Sequence, residues 1–532
     1  MGSDAFVVGS SKPLPSWKEW RLVGLLQVLF LIIALIGLDE PFVSMHFVRQ
    51  NQTFDVATHV FREGWSAVVT PRASFTQLSS PDDPLSPLIT PAPRFTIIHL
   101  EVPFHGLFGW PAALLVKDHE RAIVRLVSVV FALLSIGVFH LIVRQWIEPQ
   151  AALAGTALWA MAPFTIYFGQ IPMPDMLATT GMALAFLFAL RGNLAGSSVA
   201  FLFAILAKLS VIIYGLPILT ALLIASNCRS IGSFLRITVL WGVVPLLGIS
   251  AWLSLSRHDP YGSWVVFGGY RPGGYGALTL HDLAHPAFYL SPFVYLLPCG
   301  IGIIGAVGLL LAMVNNPPRM NFWLKAAILL SLFCNYSLER IVWLEPQYSV
   351  PVLFWVILAA SMGLPRLFEK VRGSRPWRIA MVGIVVAHLV LVGATVIFLK
   401  SSRVPNYQDL VVAAQLTPPD ARLVVYAATP SASPSSWTDR NTLTLHPIPT
   451  RTPADFDAIA KQFLSFQEGG FDYLLVFDVE KHHRNIPFDS SAPVYDSDLT
   501  EQGSPFRRFC DDRYRKIFEG NHVILYSLVK PM

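Results

Sequence analysis

The sequence predicts an α-helical polytopic membrane protein with about eleven transmembrane helices and a small C-terminal α/β domain. Three observations predict it. Of the 532 residues, 53% are hydrophobic and only 14% charged, against about 25% charged in soluble domains. The apolar residues gather in runs near the ~20 residues needed to cross a bilayer. Basic residues recur at alternate turns between those runs, and after Lys400 charges rise and short β-like stretches begin.

The first run, Arg21 to Leu38, follows a short basic stretch containing Lys12 and Lys18. It is longer than a usual signal-peptide apolar region, and LIGLDEPF is not a small-residue cleavage site. It therefore reads as a retained first helix at about 22–38. The loop 39–120 follows, with Phe54–Val69 and Phe104–Lys117 as interfacial helices. HGLFGWPAALLV is apolar but below spanning length, and PDDPLSPLITPAPR, rich in proline and without periodicity, reads as an extended loop.

Further spans are expected at about 121–143, 151–168, 175–190, 197–208, 210–226, 234–255, 288–314, 322–339, 348–365 and 379–399. With the amino terminus in the cytoplasm, the inner connections carry Arg144, Arg191, Arg229 with Arg236, Arg319 with Lys325, and the set Arg366, Lys370, Arg372, Arg375 and Arg378. Every inner turn then obeys the positive-inside rule. The two short runs around Lys208 are kept as two helices, because fusing them would invert every later segment and place that dense cluster outside. This divides the chain into a membrane domain, 1–400, and a non-cytoplasmic domain, 401–532. In the latter, RLVVYAA, TLTLHPI, YLLVFD and NHVILYSLV are strand-like. Phe456, Ile459, Phe463 and Phe466 have the spacing of an amphipathic helix starting near Thr452.

The formal charge of +5 is small for this length and not gathered in a stripe, so nucleic-acid binding has no support. Cys228, Cys299, Cys334 and Cys510 are scattered, suggesting neither a disulfide framework nor a zinc cluster.

The sharpest chemical feature is Asp39 with Glu40, two carboxylates where the first helix leaves the membrane. Ionisable groups there are costly unless they serve a purpose, although acidic residues also simply end helices at the interface. Further pieces follow in order: HLEVPFHGLFG before the second helix, RLVSVVFALLSIGVFHLIVR as that helix, APFTIYFGQIPMPDMLATTGMALAF with a proline-aspartate turn, LAKLSVIIYGLP with a lysine after the fifth helix, and the late outer turn LEPQYSVPVLFWVILAA. Together these resemble the C-type glycosyltransferases, especially protein O-mannosyltransferases, aminoarabinose transferases and their bacterial relatives, over roughly residues 22–365.

The resemblance implies a membrane enzyme that moves a sugar from a polyprenyl-phosphate donor to an acceptor glycan, lipid or protein. The carboxylate after helix one, Asp39 here with Glu40 beside it, would take the acceptor's proton. The lipid phosphate leaves as a stable anion, so the site needs fixed positive charge more than a general acid. Arg257 and Arg271 in the glycine-rich loop, Arg340 in the last outer turn and Lys208 are the candidates, each of which would otherwise be a snorkelling interfacial cation. Glu101, Asp175, Gln347 and Tyr348 complete the expected donor-binding set, with helix capping as the plain alternative for Asp175.

One departure stands out. In aminoarabinose transferases the glutamate of the E-x-P segment is followed by a lysine that meets the lipid phosphate, whereas here Glu101 is followed by Val102. The donor head group and its phosphate ligand therefore stay open. No cofactor is expected; Glu101 and His105 with His281 or His285 are the side chains that could hold a divalent metal across loops. The resemblance also implies a multi-pass protein of a bacterial inner membrane. A lipid or sugar transporter is the second reading and a noncatalytic scaffold the third. Transporters tend to place ionisable residues at mid-membrane, whereas here they gather at the outer face.

Overall fold

The structure, a computed structural model, describes residues 15–39, 47–69, 75–76, 101–116, 119–256, 296–314, 320–338, 349–401, 407–427, 441–445, 453–477, 499–520 and 523–529. The protein is an integral membrane protein built on a helical bundle. Helix α1 (Trp17–Leu35) begins with a capping box in which Glu19 N–H donates to Ser16 Oγ and Ser16 N–H to the Glu19 carboxylate. Such reciprocal bonds satisfy two of a helix's four orphan donors.

From the first loop come α2 (Phe47–Glu63), α3 (Trp65–Val69) and α4 (Phe104–Leu115), near the two predicted interfacial segments. The bundle continues with α5 (Glu120–Val143), α6 (Pro149–Met161), α7 (Pro163–Phe168), α8 (Pro174–Leu190) and α9 (Leu194–Ala207). Then follow α10 (Gly215–Ala225), α11 (Ile231–Ser256), α12 (Gly302–Val314), α13 (Phe322–Leu338), α14 (Ser349–Gly373) and α15 (Arg375–Ser401). Helical structure thus falls on every predicted apolar run. Pro163, which cannot donate a ladder hydrogen bond, breaks the third run into α6 and α7.

Among the described residues five helical stretches are long and apolar enough to cross a membrane alone, and four shorter apolar stretches accompany them. Burial separates their roles. α5 and most of α14 lie inside the bundle, whereas α11 and α15 expose most of their surface, as helices bathed in lipid do. The centre is aromatic: Phe139 stacks on Trp159, and Phe186 meets Trp355 edge-on, all four fully buried. Where α12 crosses α14, a Cβ on Gly363 would run into the Gly308 carbonyl, so only glycine permits that approach.

The short runs around Lys208 form an out-and-back pair. α9 ends at Ala207, Lys208 is extended (φ −157, ψ 114), and a 3-10 turn over Leu209–Tyr214 leads into α10. A Cβ on Gly192, just before α9, would lie 4.0 Å from Ala225 Cβ at the end of α10. The chain has returned to the end it left. At that end Arg144 Nε sits 2.7 Å from Glu19 Oε1, and Arg372 meets Gln150, so several of the basic turns collect there. Asp39, the 169–174 turn and Lys208 occupy the opposite end.

The C-terminal region carries α16 (Tyr407–Gln415), α17 (Pro453–Glu468), α18 (Pro505–Arg513) and five strands: β2 (Arg422–Ala427), β3 (Asn441–Leu445), β4 (Tyr473–Phe477), β5 (Arg515–Gly520) and β6 (Val523–Ser527). The sheet order is β1-β3-β2-β4-β6-β5, parallel from β1 to β4 and antiparallel beyond. β2 and β4 are apolar on both faces, as strands covered on both sides are. Val424 and Tyr426 pack with Ile459, Phe463 and Phe466 of α17, while Leu423 and Val425 pack with Leu410 and Ala413 of α16. The remaining strand, β1 (Phe75–Thr76), comes from the first loop and pairs with Thr444 and Leu445. The sheet is therefore completed by a segment more than 300 residues upstream.

Candidate functional site

The polar groups at the Asp39 end are organised by one face of α5. Arg125 Nη1 donates to the carbonyls of Gly37 (2.9 Å) and Leu38 (2.7 Å), the two residues before Asp39. Ser128, one turn further along, donates to the Ile171 carbonyl at 2.7 Å, and its Oγ lies 2.9 Å from His105 Nε2 on α4. With Ser128 donating to Ile171, His105 acts as the donor through Nε2. α5 thus fixes the end of α1, the 169–174 turn and the start of α4 relative to one another.

That turn leads into α8, where Asp175 and Lys208 form a buried ion pair, with the carboxylate 0% and the lysine side chain 7% exposed. Asp175 does not cap the helix. Met173 occupies the cap position, without a side-chain cap bond, and Pro174 follows it. Asp175 lies in the first turn, where the helix dipole favours an anion, and turns its carboxylate to Lys208. Its second oxygen, Oδ2, is buried and has no hydrogen-bond partner among the described residues, leaving an acceptor position open to a ligand donor. Val102 N–H donates to the Leu206 carbonyl at 3.0 Å, which ties the E-x-P segment, with Glu101 half-buried, to the chain two residues before Lys208. The segment after Glu101 thereby lies against the end of α9, next to the residue that pairs with Asp175.

Asp39 closes the turn after α1 and is more than half exposed, with Oδ2 3.6 Å from Nδ1 of the equally exposed His119. An exposed pair of this kind adds little stability, so Asp39 is open to an incoming group. Glu40, Arg257, Arg271, Arg340, Gln347 and Tyr348, with His281 and His285, lie outside the described residues. Among the described residues no group of three His, Cys, Asp or Glu side chains is placed to hold a metal ion.

Sequence reading missed the inner face of α2. Gln50, Asn51, Asp55, Thr58 and His59 are all buried. His59 Nδ1 lies 2.7 Å from the Asp55 carbonyl, and Gln50 Nε2 donates to the Tyr167 hydroxyl at 3.4 Å. The sequence suggests only an interfacial helix over Phe54–Val69. The available signal was that residues 50–61 contain no lysine, arginine or glutamate, the long charged side chains that a solvated stripe normally carries. Gly106 of α4 seats this helix, since a Cβ there would press on Val60 and Ala57.

No protein-family profile and no curated protein sequence matches the chain. Solved structures do match. ArnT from Cupriavidus metallidurans, in its apo state, shares 16% identity at a TM-score of 0.59, covering 96% of this chain and 98% of that one. The same protein bound to undecaprenyl phosphate matches at 16% identity and TM-score 0.59, covering 97% and 99%. The archaeal oligosaccharyltransferase AglB from Archaeoglobus fulgidus, in complex with an inhibitory peptide and a dolichol-phosphate, shares 12% identity at a TM-score of 0.53, covering 87% of this chain and 70% of that one. At these identities the likeness is one of fold: the chain shares the fold of ArnT along nearly its whole length and that of AglB over most of it.

Proposed function

We propose that this protein is a membrane glycosyltransferase that moves a sugar from a polyprenyl-phosphate carrier to an acceptor, with Asp39 as the base that activates the acceptor. The observation that carries the reading is the buried Asp175–Lys208 pair with an open carboxylate oxygen, set at the same end of the bundle as an exposed carboxylate. Ligands carried by solved proteins of this fold, undecaprenyl phosphate on ArnT and dolichol-phosphate on AglB, support a lipid-phosphate donor.

In this reading an acceptor hydroxyl or amine gives its proton to Asp39, with Glu40 beside it, and attacks the anomeric carbon. The bond from that carbon to the phosphate oxygen breaks, and the phosphate leaves with the electron pair. One displacement inverts the anomeric configuration. Lys208, with Arg257, Arg271 and Arg340, supplies positive charge toward the phosphate as it departs, while Asp175 Oδ2 and Glu101 accept from sugar hydroxyls. Gln347 and Tyr348 complete the donor site. The Asp39 end faces away from the cytoplasm, because the basic turns at the other end then satisfy the positive-inside rule of a bacterial inner membrane.

The test is transfer from a panel of polyprenyl-phosphate sugars by the purified chain in lipid, beside Asp39→Asn. We expect turnover with at least one donor, abolished in the variant while donor binding persists. Full turnover in Asp39→Asn would remove the base assignment. Absence of transfer together with movement of sugar-lipid across liposomes would replace the enzyme with a transporter.

A further inference from the structure

We infer that Arg125 is a positioning residue for Asp39, with Lys400 as a second arm; this rests on the reading of Asp39 as the base. The last carbonyls of a helix have no partner within it. In and just beyond the last turn of α1, side chains from two distant helices donate to four of the carbonyls. Arg125 of α5 donates through one nitrogen to both Gly37 and Leu38 carbonyls, and Lys400, at the end of α15, donates to those of Ile33 (3.3 Å) and Ile36 (3.4 Å). Cations here also meet the negative end of the helix dipole. The chain leaves α1 through an extended Ile36 and a Gly37 at φ 75, a conformation glycine adopts freely, so the stalk to Asp39 would be loosely held without them.

Arg125 is only 7% exposed, and a buried guanidinium in a membrane protein is costly unless it serves something. Two of its hydrogen bonds run to consecutive backbone carbonyls, and there it fixes geometry. Bonding two consecutive carbonyls restrains the backbone rotations immediately before Asp39. Ser128 stands three residues along the same helix, about 4.5 Å in rise, and holds the Ile171 carbonyl, four residues ahead of Asp175. This turn of α5 therefore acts as a spacer: Arg125 grips the stalk of the base and Ser128 the turn leading to the Asp175–Lys208 pair. Lys400 extends the grip to the last membrane helix.

The experiment compares Arg125→Gln, Arg125→Lys, Lys400→Met and Lys400→Arg in the purified full chain in lipid, each alone and with Asp39→Glu. Arg125→Gln is expected to lower kcat roughly 10- to 100-fold, the scale of a misplaced catalytic group. KM for donor and acceptor should stay within about twofold, and the Ile36 and Leu38 amides should exchange hydrogen faster. Arg125→Lys and Lys400→Arg recover part of the loss. In the Asp39→Glu background, whose base is already displaced, the Arg125→Gln penalty shrinks to about threefold or less. Fully additive penalties, or a KM effect with unchanged kcat, would overturn the proposal while leaving the base in place. Wild-type turnover in Asp39→Asn would remove the base assignment and this proposal with it, a separate signature.

Discussion

The Asp175–Lys208 pair gives the most decisive perturbation. Lys208→Met leaves a carboxylate at 0% exposure without its cation, and Oδ2 already has no hydrogen-bond partner among the described residues. Breaking a buried pair from one side typically costs about 3–5 kcal/mol, a large share of the ~5–15 kcal/mol that holds a fold. Lys208→Met combined with Asp175→Asn removes both charges at similar volume, so most of that loss returns, less about 1–2 kcal/mol for imperfect hydrogen bonding. Donor binding behaves differently. A charge-assisted bond to phosphate is worth about 1.5–3 kcal/mol, so both variants should bind polyprenyl phosphate roughly 10- to 100-fold more weakly. Thermal unfolding in detergent reads the first quantity and lipid-phosphate titration the second. A double variant that regains both stability and wild-type donor affinity would show that the pair is a strut and that the phosphate is met elsewhere. A single variant as stable as the wild type would refute the claim that the pair is desolvated.

Other predictions follow from particular contacts. Asp39→Asn should lower turnover by about 10²- to 10⁴-fold, the usual share of a general base, with thermal stability unchanged because its partner His119 is exposed; a melting shift of several degrees would mean that Asp39 holds structure. In the C-terminal sheet, hydrogen bonds from Lys516 and Arg507 hold the Glu519 carboxyl below its ordinary value. Burial pushes the Asp511 carboxyl up, but bonds from Tyr526, Lys516 and Arg507 outweigh it and the net shift is downward. The unfolded chain then binds protons more readily. The stabilisation is complete above ordinary carboxylate values near pH 4 and is lost as pH falls through the lower folded ones. Amides of β4 and β6 should lose hydrogen-exchange protection on acidification to about pH 3, and Arg507→Met should flatten that dependence. Gly363→Leu should drive α12 from α14 and sharply reduce the yield of folded protein, whereas Gly383→Leu on α15, where a Cβ meets nothing within 4 Å, should be tolerated; equal yields would mean the crossing can relax.

Much of the architecture was legible because a bilayer leaves little choice. Backbone polar groups in lipid must be satisfied within each segment, so an apolar run near spanning length becomes helical, and among the described residues helical structure falls on each predicted run. The amphipathic spacing of Ile459, Phe463 and Phe466 likewise appears as the buried face of α17. Where a helix breaks was less legible. The end at Lys208 follows from an extended backbone that the ion pair to Asp175 accompanies, and hydropathy does not record a partner 33 residues away.

The site divides in the same way. The sequence by itself determined a membrane bundle, an acidic residue at the exit of the first helix, and a set of candidate cations and carboxylates, because composition and order carry those directly. Only the tertiary structure decided which of them meet. It paired Asp175 with Lys208 instead of leaving Asp175 as a cap, and laid the Glu101 segment against the end of α9. It turned the polar stripe of α2 inward, and drew Phe75 and Thr76 into a sheet assembled far downstream. The physical reason is common to all four. Each depends on a hydrogen bond, charge or apolar surface supplied by a distant segment, and local propensity contains no information about what that segment brings.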